Sequence, residues 1–366
     1  MSYPTVEFTE NVLREGMQIE SVDISTDEKI ALLDALGLTG LKTIAVGSFV
    51  SPKYTPQMAS IDELLARFTP VAGVRYTALT LNAKGDERAS QYVPPLAPRG
   101  GGLPGLFVHM CDTFVRRNEN ISQQDQIARW PAVVAAAQQA GAKEARIGLG
   151  AVFGSNFEGE FSTDESMEML TRQYALWEEA GIAVTQLRLA DPMGWVKPWV
   201  MEEQLNAVLE AWPSITHFEL HLHDTRGLAL ASTYEALRVL DDRCSVHFDT
   251  TAGGIGGCPY CGNGRAAGMV ATEDLVNMLE EMGIETGVDL EALIRAVWML
   301  EEMIGRPSFG HVSKTGPHTH GAACYDANLP LVETMDEAKH FLLGPEVVEH
   351  QIRPWRESIP IPETVR

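Results

Sequence analysis

Two histidines at alternate positions, His221 and His223 in HLHDTRG, and an adjacent Arg14–Glu15 pair in NVLREGMQIE are the residues whose types and spacing most readily do chemistry. On a β-strand, side chains two apart project from one face, so both imidazoles would aim at one point, as a pair of metal ligands must. Histidines satisfied by strand-end hydrogen bonds would show the same spacing, and the pair alone does not separate the two readings. Glu15 and Asp191, the latter in ADPMG, supply carboxylates elsewhere in the chain. Carboxylate oxygen combined with imidazole nitrogen suits a divalent cation: Mg²⁺ or Mn²⁺, with Zn²⁺ as a further candidate.

A third group is the stretch GGIGGCPYCGNGRAAGMVATED at 253–274, where Cys258 and Cys261 stand at C-x-x-C spacing among glycines. Thiol–disulfide chemistry wants the first cysteine at a helix N-terminus in a small thioredoxin-like unit. A phosphate cradle would be followed by Lys-Ser/Thr, and a zinc knuckle would need a second ligand pair nearby. What remains is an arm, mobile on its glycines, that carries one thiol over a site. Cys261 reads as a small loop residue or at most a resolving thiol, and Cys111, Cys244 and Cys324 as packing residues.

The elements that must position these groups alternate almost from end to end. Runs of β-branched and apolar residues near 5–9, 41–46, 74–80, 106–110, 144–149, 184–190, 216–222 and 244–249 read as strands. Helical patterns fall near 26–37, 60–68, 123–140, 162–180, 198–212, 228–240 and 270–283, with an irregular connection around 84–104. Repeated β-then-α units call for a parallel sheet, and eight of them predict an α/β fold of the closed (β/α)₈ TIM-barrel type. In such a barrel the strand carboxyl ends form the active rim, which is where Arg14, Glu15, Asp191, His221 and His223 fall. The stretch 90–105 reads as a Pro/Gly-rich surface excursion. The catalytic barrel is expected over 1–287, with 288–366 as a C-terminal extension packing on the barrel or a neighbouring subunit. His318 and His320 in GPHTHG are expected on its surface, or folded over a barrel mouth as the sharper alternative.

Bulk properties narrow the partners. The 366 residues are 45% hydrophobic and 21% charged, ordinary for a globular protein, and carry a formal net charge of −22. That balance argues against nucleic acid and anionic membranes, which require clustered Lys and Arg. No apolar stretch approaches the roughly 18 residues of a membrane span. Five scattered cysteines and an N-terminal stretch without a secretion signal lead to the expectation of a cytoplasmic protein with free thiols.

In combination, LREGMQIE, SFVSPKYTPQM, LTLNAKG, FEGEFS, LADPMG, HLHDTRGLALAS, GGIGGCPY and ATEDLVNMLEEMGIETGVDL resemble 3-hydroxy-3-methylglutaryl-CoA lyase and its relatives, the TIM-barrel metal-dependent lyases and synthases, over roughly residues 5–300. The resemblance implies that Glu15, His221 and His223 hold the metal and that Arg14 polarises a thioester or enolate oxygen. It further implies that Asp191 is a catalytic carboxylate, Glu273 a helix-borne acid near the loop, and Cys258 the thiol that exchanges a proton with the nascent carbanion. Gln18, Ser48, Asn82 and Thr225, in the matching stretches, are expected on the substrate. Relatives that are synthases generally lack the Cys-Pro-Tyr loop, which points to the lyase branch.

Three positions depart from the family pattern. Glu15 stands where the lyases usually carry Asp, Ala45 where they carry an active-site Glu, and Met269 where they carry an Asn ligand. Asn263, in a loop two residues longer, is expected to replace that ligand. The expected activity is divalent-metal-dependent carbon–carbon cleavage of a 3-hydroxy-3-substituted, methylglutaryl-type acyl-CoA or analogue, to an acetyl-CoA-like enolate and a keto acid. The partner is then a small hydroxy acid or its CoA thioester, and a homo-oligomer is expected by analogy. The alternatives are an acetyl-CoA-dependent Claisen-condensing synthase acting on a 2-oxo acid, and a catalytically lapsed barrel that binds a small acid.

Overall fold

The computed structural model describes residues 2–98, 102–262, 266–321 and 324. Eight strands form one sheet: β1 (Thr5–Glu10), β2 (Thr43–Ser48), β3 (Arg75–Leu79), β4 (Val108–His109), β5 (Glu144–Gly150), β6 (Ala183–Asp191), β7 (His217–Leu222) and β8 (Ser245–Thr250). Their order is β3-β2-β1-β8-β7-β6-β5-β4 with every pairing parallel, the winding of a TIM barrel whose hydrogen-bonded ladder stays open between β3 and β4. At that opening the 90–105 stretch does more than cross the surface. Leu96 is buried and bridges to Tyr76 beside β3, with the Ala97 amide donating to the Tyr76 carbonyl at 2.8 Å, and Gly105 bridges to Arg146 on β5. Its described parts are thus tied to the barrel wall on both sides of the opening.

Helices α1 (Thr26–Gly37), α2 (Ile61–Arg67), α3 (Ala83–Ser90), α4 (Asp112–Glu119), α5 (Gln123–Ala128), α6 (Trp130–Gln139), α7 (Thr163–Glu179), α8 (Pro198–Ala211), α9 (Ala229–Val239) and α10 (Thr272–Glu281) follow the strands. Their starts are local chemistry: Ser25 with Glu28 and Ser162 with Glu165 form reciprocal capping boxes for α1 and α7. The helix expected over 123–140 is two, because Pro131 lacks the N–H that a continuous helix would need and sits instead in the first turn of α6. Helix α4 was not expected. It buries only Phe114 and Val115 and ends at Asn120 in the left-handed region, φ 55°.

Met1–Gly316 form one compact unit and Pro317–Arg366 a second. Helix α11 (Leu290–Ile304) belongs to the first, where Leu293, Val297 and Leu300 join the apolar cluster that holds Leu32, Leu33 and Leu36 of α1. Among the described residues no helix is long and apolar enough to cross a membrane.

Strand parity decides what the barrel offers. Ile147 and Leu149 of β5, Leu187 and Leu189 of β6, Phe218, Leu220 and Leu222 of β7, and Val246 and Phe248 of β8 pack outward in the largest apolar cluster. The alternate, inward set is polar or small: Arg146, Gly148 and Gly150, then Arg188 and Ala190, Glu219 and His221, His247 and Asp249. TIM barrels ordinarily fill this space with branched apolar side chains. Here it stays open as a cavity of about 1140 Å³, whose wall includes residues at the strand carboxyl ends.

Candidate active site

After β1 the chain makes a wide turn over Val12–Gly16, in which the amides of Arg14, Glu15 and Gly16 all donate to the Asn11 carbonyl at 3.0, 2.7 and 3.3 Å. This turn presents Arg14 and Glu15 to the cavity, and the Arg14 guanidinium donates to Glu15 Oε2. Glu15 Oε1 lies 2.9 Å from His223 Nε2 and 3.6 Å from His221 Nε2, and the two Nε2 atoms are 3.2 Å apart. Among the described residues, Glu15, His221 and His223 form a group whose ligand atoms all lie within 4.8 Å of one another.

The orientation of His221 comes from a residue that the sequence reading missed. Its Nδ1 donates to Asp249 Oδ2 at 2.9 Å, which turns Nε2 toward Glu15 and His223. Asn11 donates to the other oxygen of Asp249 at 3.3 Å. A carboxylate behind a histidine that faces a second histidine and a glutamate is the arrangement of a metal-ligating imidazole and its orienting partner. Two imidazole nitrogens and a carboxylate oxygen converging at these distances fit a divalent cation.

Opposite charges dominate the electrostatics of this group. Burial pushes the Glu15 carboxyl up, but the charges of His221 and Arg14 and hydrogen bonds from both imidazoles outweigh it and hold the group well below the usual carboxylate range. Burial would lower His223, yet its bonds with Cys261 and Glu15 carry it to about 10. Asp249 is likewise held low against burial, by His221 and by Arg188.

The glycine loop meets this centre from β8. Gly256 passes so close to the β1 turn that a Cβ would lie 3.0 Å from the Glu15 carbonyl oxygen, and its φ of 103° favours glycine in any case. The loop is docked: Tyr260 packs edge-on to Phe114 and Phe157, at 5.9 and 5.2 Å between ring centroids, and its carbonyl accepts from Asn156 at 2.6 Å. That places Cys258 on the cavity wall with Glu15 and both histidines. A hydrogen bond with Cys261, then burial, raise the Cys258 thiol above its ordinary range and keep it protonated. Cys261 is buried behind, its Sγ 3.2 Å from the Pro192 carbonyl oxygen. Cys111 and Cys244 are buried, whereas Cys324 is exposed rather than packed.

Arg14, Glu15, Gln18, Ser48, His221, His223 and Cys258 therefore share one cavity, and Ala45 lines it too. Four other candidates do not line it. Asp191 is fully buried; its Oδ2 accepts from the Val196 amide at 2.7 Å, and burial raises its carboxyl while amide hydrogen bonds and the charge of His223 oppose the rise. Glu273 is fully buried in α10, accepting from the Gly253 amide at 2.9 Å. Asn82 caps α3 through the Gly85 amide at 3.0 Å, and Thr225 packs where a Cβ on Gly194 would come within 2.5 Å of its own Cβ. Asn263 lies outside the described residues. Met269 is fully buried and bridges to His223.

Burial raises Glu273 to about 8, so the folded protein holds a proton there that the unfolded chain releases near 4.5. Its stabilising share is complete below the unfolded value and is lost as pH climbs through the folded one, with a slope of at most about 1.4 kcal/mol per pH unit. The stability of the parent relative to Glu273→Gln is accordingly expected to fall between about pH 5 and 8 in denaturant titrations. A pH-independent difference would place a neutral carboxyl elsewhere.

The fold is of the TIM-barrel class, and its cavity carries the Glu15–His221–His223 group. The HMGL-like family matches residues 5–299, and the chain belongs to that family. It is similar to the mitochondrial hydroxymethylglutaryl-CoA lyase of Macaca fascicularis, at 35% identity over 301 residues covering 82% of this chain and 86% of that one. Against hydroxymethylglutaryl-CoA lyase YngG of Bacillus subtilis the identity is 35% over 310 residues, covering 84% and 96%. The solved structure of an HMG-CoA lyase from Acinetobacter baumannii in complex with coenzyme A and 3-methylmalate superposes with a TM-score of 0.67 at 30% identity, covering 89% and 97%. The chain is a carbon–carbon lyase by class.

Proposed function

We propose that the chain cleaves a 3-hydroxy-3-substituted, methylglutaryl-type acyl-CoA to an acetyl-CoA-like product and a keto acid, with a divalent cation held by Glu15, His221 and His223. The observation that carries this reading is the meeting of Arg14, Glu15, His221, His223 and Cys258 on one cavity. The cation, when bound, supplies Lewis-acid stabilisation of the substrate's hydroxyl oxygen as it loses its proton.

The chain's own groups do the rest. Breaking the bond between the second and third acyl carbons leaves an electron pair on the thioester fragment as an enolate. The Arg14 guanidinium at the cavity wall stabilises the enolate oxygen. The hydroxyl proton leaves to water in the open cavity, and Cys258, kept as a thiol, delivers a proton from Sγ to the enolate carbon and regains one from water. Asp249 orients His221, and Asp191, bonded to the Val196 amide, is a positioning residue of the turn that follows β6. Coenzyme A bound to the A. baumannii lyase supports a thioester as the form used.

The test is product analysis with 3-hydroxy-3-methylglutaryl-CoA after chelation and after restoring Mg²⁺ or Mn²⁺. Acetyl-CoA and acetoacetate are expected only in the restored samples. Free CoA released from acetyl-CoA and a 2-oxo acid, with no cleavage of the hydroxyacyl thioester, would assign the synthase direction instead.

A further inference from the structure

One thiol of the glycine loop, Cys261, has no part in the cleavage. It closes a four-residue turn with Cys258, its amide donating to the Cys258 carbonyl at 3.0 Å. Pro259 stands at the second position, where its fixed φ favours such a turn, and Tyr260 at the third is held by Phe114, Phe157 and Asn156. The turn therefore keeps the two cysteines in one arrangement. Its end Cα atoms lie under about 7 Å from each other. A disulfide spans about 4.4–6.8 Å between Cα atoms. The side chains complete the approach: the two thiols are hydrogen-bonded to each other, and the Tyr260 amide bonds to the sulfur of Cys258.

The two sulfurs differ in access. Cys258 borders the cavity, whereas Cys261 is only 7% exposed and sits against the Pro192 carbonyl. A small reagent entering the cavity meets the first sulfur, and the second lies in wait behind it. That is the layout of an oxidisable thiol and its resolving partner.

We propose that Cys258 and Cys261 form an oxidation site for a hydroperoxide, which joins them in a disulfide and so takes the proton donor out of the cavity reversibly. The Cys258 thiolate attacks one peroxide oxygen, the O–O bond breaks, and the other oxygen leaves as water or an alcohol, giving a sulfenic acid. Cys261 Sγ then attacks the Cys258 sulfur; the S–O bond breaks, and the hydroxyl leaves as water with the proton that Cys261 gives up. The two thiols lose two electrons and two protons in all, and the peroxide takes up both. The first step is slow because Cys258 is held protonated, and the second is fast because the thiols are already in contact. A disulfide formed in this way forestalls the irreversible sulfinic acid. Glu15, His221 and His223 contribute no atom to the new bond. The effect on turnover rests on the lyase reading above; the pairing does not.

Metal-loaded protein treated with excess hydrogen peroxide and quenched with an alkylating reagent tests the site. Peptide mapping under non-reducing conditions should link Cys258 to Cys261, with bound Mn²⁺ unchanged and turnover of 3-hydroxy-3-methylglutaryl-CoA at least about 100-fold lower. Dithiothreitol should restore it. In Cys261→Ser, of verified melting temperature and metal content, the same treatment should carry Cys258 to sulfinic acid, and dithiothreitol should no longer restore turnover. A parent in which Cys258 stays reduced, goes to sulfinic acid or pairs with any other cysteine overturns the proposal, as does a linked pair that leaves cleavage intact. Mapping needs no substrate, so a linked pair in protein that cleaves no thioester even before oxidation contradicts the lyase reading and supports the pairing.

Discussion

On the proposed ligand set, His223→Ala is expected to abolish tight metal binding and to lower kcat by at least about 1,000-fold, since the cation would lose one of three protein ligands and the hydroxyl oxygen its stabilisation. The imidazole is almost wholly buried and bonded to Glu15, so no neighbouring group can replace it from solvent. Metal content after desalting and turnover under saturating Mn²⁺ measure the two effects separately. Asp249→Asn provides the graded comparison. It leaves all three ligands present but weakens the hold on the His221 tautomer, and a loss of about 10–100-fold in metal affinity is expected. Metal bound normally by His223→Ala would move the centre to other residues.

The second large effect concerns the thiol. Cys258→Ala, and the size-conserving Cys258→Ser, are expected to lower kcat by about 100- to 10,000-fold, the range for loss of a positioned proton donor, with metal content unchanged. Cys258 borders the same cavity as the metal group without belonging to it. Exchange of solvent deuterium into the acetyl methyl group of the product isolates the step, because protonation of the enolate carbon is what the thiol is asked to do. Undiminished turnover in both variants would assign that proton to another group.

Much of this site was legible in the sequence because alternation along a strand survives folding. HLH at 221–223 put two imidazoles on one side of β7, and they face one cavity. The same rule reached further than the residues first chosen for their chemistry. Asp249, two positions after His247 on β8, has the inward parity and orients His221, and Arg188 shares the inward set with Ala190.

Other features depended on tertiary packing. Helix α4 presents too few apolar residues for periodicity to reveal it. Leu96 is buried only because the ladder is open between β3 and β4. The glycine loop, read as a mobile arm, is pinned by Tyr260 between two phenylalanines that precede it by more than a hundred residues.

The central claim is that a single divalent cation sits between Glu15, His221 and His223, within reach of a substrate bordered by Cys258. Anomalous diffraction from crystals soaked in Mn²⁺ tests it most directly. One strong peak bonded to Glu15 Oε1 and to Nε2 of both histidines is the predicted result. A peak held by other side chains, or none there under saturating Mn²⁺, would contradict it.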